Sequence, residues 1–170
     1  TNSNLIGRKK ISLHNKFVQK TAKHSMGLFV LFFGTKVKYD NIAHHTIWMG
    51  PRYKELLSDI FDRYKLSEDF SIYLHRPTAT DPDFAPSGCD SFYALSVVPN
   101  LSSETDWPAI TEQYRDAIAT VLQESVLPDL KQHVVSSKVT TPQDFQDRLW
   151  SFKGAGFGLE PVITQSAWFR

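Results

Sequence analysis

Between residues 69 and 99, two stretches of alternating apolar residues flank a long turn punctuated by Pro77, Pro82, Pro86 and Gly88. Proline and glycine at these positions break helices. The period of two on either side places successive side chains on opposite faces of a sheet. The segment is therefore a strand–loop–strand unit, with strands predicted over about 70–75 and 91–98 and Pro99 stopping the second. A second strand signal precedes it. Leu28–Phe33 is the longest apolar run, rich in β-branched and aromatic residues and closed by Gly34. A helix needs roughly 20 such residues to cross a bilayer, so this run reads as a buried strand over 26–33.

The rest of the chain adds helices around these strands. His44 to Met49 reads as a further strand. Gly50-Pro51 is expected to start a helix, with Pro51 at its first position and Tyr53, Leu56, Leu57, Ile60 and Phe61 as its apolar stripe. Asp106-Trp107-Pro108 opens the longest helix, with Asp106 as N-cap. Ile110, Tyr114, Ala117, Ile118, Val121 and Leu122 recur along it at helical spacing. A strand over 133–140 follows. Thr141-Pro142-Gln143-Asp144 is a capping signal for another helix. The alternation of strands and helices is irregular, so the fold class is α+β: a mixed, largely antiparallel sheet covered by helices.

Charge is distributed unevenly. Net charge is only +1, yet residues 1–39 carry eight basic side chains and no acid, leaving −7 on the remainder. Six of the basic residues fall within 8–23 beside Ile11, Leu13, Phe17 and Val18. This pattern fits an amphipathic helix lying on anionic lipid. No nucleic-acid recognition motif accompanies the charge, so nucleic acid is not an expected partner. Cys89 is the single cysteine, which excludes an internal disulfide and makes a reducing, cytoplasmic setting the default.

Candidate chemistry is sparse. Gly154-Ala155-Gly156-Phe157-Gly158 lacks the Gly-x-Gly-x-x-Gly spacing of a dinucleotide loop, and Glu160-Pro161 stands where a helix should follow. A tight turn beside a ligand is the better reading. His44-His45 cannot act as a helix-spaced zinc pair, and no cysteine or carboxylate cluster supports one. On a strand the two rings would face opposite sides, so no metal site is expected. His75-Arg76-Pro77 lies at a strand end, a common place for site residues. The structural alternative is a loop anchor in which Arg76 pairs with Asp81 or Asp83.

Residues 69–99, read as a string, closely resemble the middle of the bacterial and fungal type phytoene desaturases. Further segments are similar in the same order: Ser25–Gly34, Ala43-His44-His45-Thr46, Gly50–Leu56, Thr141–Phe145 and Glu160–Arg170. The resemblance covers about residues 25–170. It implies an FAD-dependent, amine-oxidase-like flavoprotein that dehydrogenates a C40 polyene in carotenoid synthesis. Such proteins are several times longer than this chain, so the resemblance implies a fragment. Most of the substrate domain would be present and the Rossmann-like FAD domain missing. The expected divisions are a variable basic segment over 1–24, the substrate domain over 25–153, and a Gly-rich segment over 154–170 returning toward the absent FAD domain.

Phytoene has no polar handle, so the resemblance further implies an apolar tunnel at the surface of a membrane. His75, Arg76, Tyr93, Phe157 and Trp168 are the candidate substrate-lining residues, whereas Phe92 reads as core. Gly154, Gly156, Gly158 and Glu160 are candidates for the side nearest the flavin. No catalytic residue is assigned, and the fragment alone is expected to be inactive. Two alternatives carry over: a non-catalytic isoprenoid- or membrane-binding module, and a related carotenoid oxygenase or ketolase.

Overall fold

The computed structural model describes residues 22–165; the basic segment over 1–21 and Trp168 lie outside them. Five strands form one sheet: β1 (Gly27–Thr35), β2 (His45–Trp48), β3 (Ile72–His75), β4 (Asp90–Val98) and β5 (Val134–Thr140). Their order is β2-β3-β4-β1-β5. All four pairings are antiparallel rather than mixed. The central pair β1–β4 runs in register from Gly27↔Val98 to Thr35↔Asp90.

Strict alternation along β4 assigns its two faces. Phe92, Ala94, Ser96 and Val98 are buried, and Ser91, Tyr93, Leu95 and Val97 are half-buried. The inner face continues through Phe29, Leu31 and Phe33 of β1 and Ile72 and Leu74 of β3. One long helix, α2 (Trp107–Ser125), lies over it after α1 (Tyr53–Phe61) in chain order. Trp107, Tyr114, Ile118 and Leu122 of α2 are all buried. Phe29 meets Tyr114 edge-on at 4.8 Å between ring centroids, and Phe92 stacks on Phe33 at 5.1 Å, so Phe92 is core. Burial of aromatic and aliphatic side chains against this face supplies the main driving force for the fold.

Local signals place the helix starts. Asp106 accepts from the Ala109 N–H at the head of α2. After the short α3 (Leu130–His133), α4 (Pro142–Leu149) begins with a complete capping box. Thr141 accepts from the Asp144 N–H while Asp144 accepts from the Thr141 N–H at 2.8 Å. The start of α1 departs from expectation. Arg52 is its flanking residue and Pro51 lies in the preceding turn. The chain is still turning away from β2 at Pro51, so the helix begins two residues later.

The Gly-rich segment folds back onto the entrance of β1. Ala155 bridges Gly27, Leu159 bridges His24, and the Gly156 N–H donates to the Met26 carbonyl at 2.8 Å. Gly154 has φ +63°, and a Cβ there would stand 2.2 Å from the Pro142 carbonyl oxygen. A Cβ at Gly156 would meet Leu28 at 2.5 Å. The first two glycines therefore allow close packing within the chain.

Candidate functional site

Among the described residues, no helix packs extensively on the outer face of the sheet at β2 and β3. Residues of one pleat phase meet there in register: His45 opposite His75, Ile47 opposite Tyr73, His75 opposite Tyr93, and Tyr93 opposite Phe32. Ring centroids lie 4.6 Å apart for His75–Tyr93, 5.8 Å for Tyr73–Tyr93 and 5.9 Å for Phe32–Tyr93. Phe32 is 43% exposed and Ile47 68% exposed. Four strands at ordinary spacing make this aromatic band about 14 Å across. At the β1–β5 end it continues into a groove of about 480 Å³ bordered by Phe32, Gly34, Phe84, Cys89, Ser136 and Lys138.

Toward β2 the band becomes polar. His44 Nε2 and His75 Nε2 are 2.8 Å apart. The His45 ring centroid lies 4.4 Å from that of His44 and 5.3 Å from that of His75. One nitrogen from each of the three imidazoles falls within 4.8 Å of the others. His44 Nδ1 is hydrogen-bonded to Thr80 Oγ1, and His45 Nδ1 to the Tyr73 hydroxyl at 2.6 Å. The expectation that the rings of His44 and His45 face apart is therefore wrong. Alternation holds within a regular ladder, and His44 precedes the first residue of β2, so its ring swings onto the side of His45.

His75 Nδ1 is buried with no hydrogen-bond partner among the described residues. Burial first, and then the neighbouring His44 and His45, push the His75 imidazolium below its ordinary range, favouring the neutral ring. Burial, reinforced by Tyr73, raises Tyr93 above the usual phenol range. Both shifts favour the uncharged forms of His75 and Tyr93 at the centre of the band.

Arg76, the next residue after His75, belongs to the opposite side. It is 4% exposed, and its Nε donates to Asp90 Oδ2 at 2.9 Å. One terminal nitrogen donates to the Ile42 carbonyl and the other to Asp40. Asp90 also accepts from Thr78 Oγ1 and the Tyr39 N–H, both at 2.7 Å. The expected pairing with Asp81 or Asp83 is overturned. Asp81 instead caps the Pro82–Phe84 turn, while Arg76 is turned inward against the end of β4.

The remaining candidates scatter. Phe157 is 67% exposed near the β1 entrance, away from the band. Its N–H donates to Ser25 Oγ. Glu160 is half-buried, its N–H donating to the Lys23 carbonyl. Gly158, at φ +79°, has open space where a Cβ would be. Gly154 and Gly156 are filled by Pro142 and Leu28, so the described residues form no cradle for a nucleotide phosphate. The structure thus joins His75 and Tyr93 with Phe32, Tyr73, His44 and His45, which spacing alone did not connect. Only the β2–β3 register, which pairs His45 with His75, would have linked them.

No family model matches the chain. Comparison with individual curated proteins is decisive. Over 152 residues, 89% of its length, the chain is 45% identical to a lycopene-forming phytoene desaturase of Pantoea ananas. Over 151 residues it is 49% identical to a neurosporene-forming phytoene desaturase of Rhodobacter capsulatus. The chain is homologous to a segment of phytoene desaturases. It spans 31% and 29% of these two relatives, respectively. A 4,4'-diapophytoene desaturase of Staphylococcus aureus is more distant, at 32% identity over 153 residues. The two phytoene desaturases form different products, lycopene in one and neurosporene in the other, although both match the chain at similar identity.

Proposed function

We propose that this chain contributes the substrate-facing sheet of an FAD-dependent carotenoid desaturase. In this reading the outer band of Phe32, Tyr93, Tyr73 and Ile47 forms one wall of an apolar site for a phytoene-like polyene. The observation that carries it is the aromatic face left uncovered by the described residues, in a chain so similar to phytoene desaturases. Exposed apolar surface of this kind marks an interaction site, and flat rings suit an extended hydrocarbon that offers nothing to hydrogen-bond. FAD would be held by parts of a longer protein outside this chain, and the redox chemistry belongs to that cofactor. The residues here would position the substrate and keep water away from it.

A substrate dissolved in lipid favours a location at the cytoplasmic membrane surface. The excess of basic side chains over residues 1–39 supports such an attachment. No helix among the described residues is long and apolar enough to cross a membrane.

The test is to express the complete reading frame containing this sequence in a phytoene-accumulating host and read the absorbance of extracted pigments. Conjugated, coloured product is expected. Tyr93→Asp, which places a charge in the band, should cut colour at least tenfold while the protein still accumulates. Absence of colour with the unaltered frame would overturn the desaturase reading. In that case, polyene-dependent quenching of tryptophan fluorescence would separate a binding module from a chain that binds no isoprenoid.

A further inference from the structure

We propose that His44, His45 and His75 form a binding site for a divalent transition-metal ion at the β2 edge of the sheet. This inference rests on side-chain geometry alone and stands apart from the desaturase reading. The three rings come from two segments distant in sequence and converge on one point, with a nitrogen of each inside a 4.8 Å span. An N–H···N hydrogen bond accounts for the approach of two of these rings, but not for the third nitrogen beside them. The Nε2 atoms of His44 and His75 are 2.8 Å apart, and between two neutral rings only one can donate while the other accepts. His45, whose Nδ1 is hydrogen-bonded to the Tyr73 hydroxyl, brings a third imidazole close by, leaving its other nitrogen for a ligand. A cation satisfies all three lone pairs at once.

Distances fit a small adjustment. Metal–nitrogen bonds of about 2.0–2.1 Å in a tetrahedral site separate ligand nitrogens by roughly 3.4 Å. The His44–His75 pair must open slightly from 2.8 Å and His45 must draw in. Both shifts are within reach, because His44 precedes the regular ladder and His45 is exposed on an edge strand. Supporting contacts also match. A metal-bound imidazole usually has its other nitrogen fixed by a hydrogen bond. Thr80 holds His44 through Nδ1, and the Tyr73 hydroxyl contacts His45.

The donor set limits the ion. Three imidazoles and no carboxylate or thiolate suit Zn²⁺, Cu²⁺, Ni²⁺ or Co²⁺ and disfavour Mg²⁺ and Ca²⁺. Three protein ligands leave a fourth position open to water or another donor. Bound there, the ion would tie the strand edge to β3 and to the loop carrying Thr80.

The test is titration of the untagged full-length protein, freed of metal by chelator, with Zn²⁺ followed by calorimetry. One equivalent should bind at this site. His44→Gln and His45→Gln, both away from the core, should each weaken binding at least tenfold. Thr80→Val should weaken it about tenfold. A His14→Gln/His24→Gln double variant should leave it unchanged. Co²⁺ added in place of Zn²⁺ should give the intense visible bands of a four-coordinate site, and these should vanish in His45→Gln. No stoichiometric binding, or binding unaltered by His44→Gln and His45→Gln, overturns the proposal. The outcome does not depend on His75→Gln, whose half-buried position makes it the variant most prone to misfold.

Discussion

His75 and Arg76 are adjacent in the chain and occupy opposite sides of the sheet. Arg76 faces inward and spends its donors on Asp90, Asp40 and the Ile42 carbonyl. His75 faces outward into a ring cluster and keeps a buried nitrogen without a partner among the described residues. The inner charge is expensive to bury and is tolerated because its partners are in place. On the outer face a buried polar atom is left unmatched among the described residues, beside a half-exposed aromatic band. In the proposed reading, stability and substrate contact are thus divided between the two faces by a single peptide bond.

The largest stability effect should come from breaking the inner network. Arg76→Met leaves Asp90 buried without its counter-charge and should cost about 3–5 kcal/mol in urea unfolding. A loss below about 1 kcal/mol would mean that the two faces are not energetically distinct. Phe29→Ala and Phe32→Ala compare the faces along one strand. The first opens a core cavity and should cost about 3–5 kcal/mol. The second removes a ring that is 43% exposed and should cost well under half as much, while carotenoid colour should fall more with Phe32→Ala than its stability loss explains.

Gly154→Ala forces a side chain into left-handed backbone against Pro142 and should cost at least about 1–2 kcal/mol. Gly158→Ala shares the positive φ but meets open space, so its loss should be the smaller of the two by thermal melting. The smallest effect is set by pH. A hydrogen bond from Arg63 is the main cause holding Asp59 below its ordinary value of 3.8. Its contribution is present above that value and is lost as pH falls through the lower folded value. Unfolding curves at pH 5 and pH 3 should therefore converge in Asp59→Asn relative to the unaltered chain.

Much of the fold was legible because its signals are local. Alternation over 91–98 marked β4, and Thr141 to Asp144 marked the start of α4 through chemistry within one turn. Asp106 did the same for α2. Pro51 misled because its place depended on how the chain leaves β2. At the site, Tyr93 and His75 were named on resemblance, but their companions were hidden. His44 and His45 looked divergent under strand alternation, and Arg76 was assigned nearby acids when its partners lie 14 and 36 residues away.

By itself, then, the sequence determined the strands, the caps, the α+β class and the likeness to phytoene desaturases, since these depend on short-range periodicity, capping chemistry and direct matching of strings. Tertiary structure alone decided which face of the sheet the described residues leave open, which partner Arg76 takes, and that three histidines share one point. Those outcomes depend on strand order and register, which bring together residues that no local spacing relates.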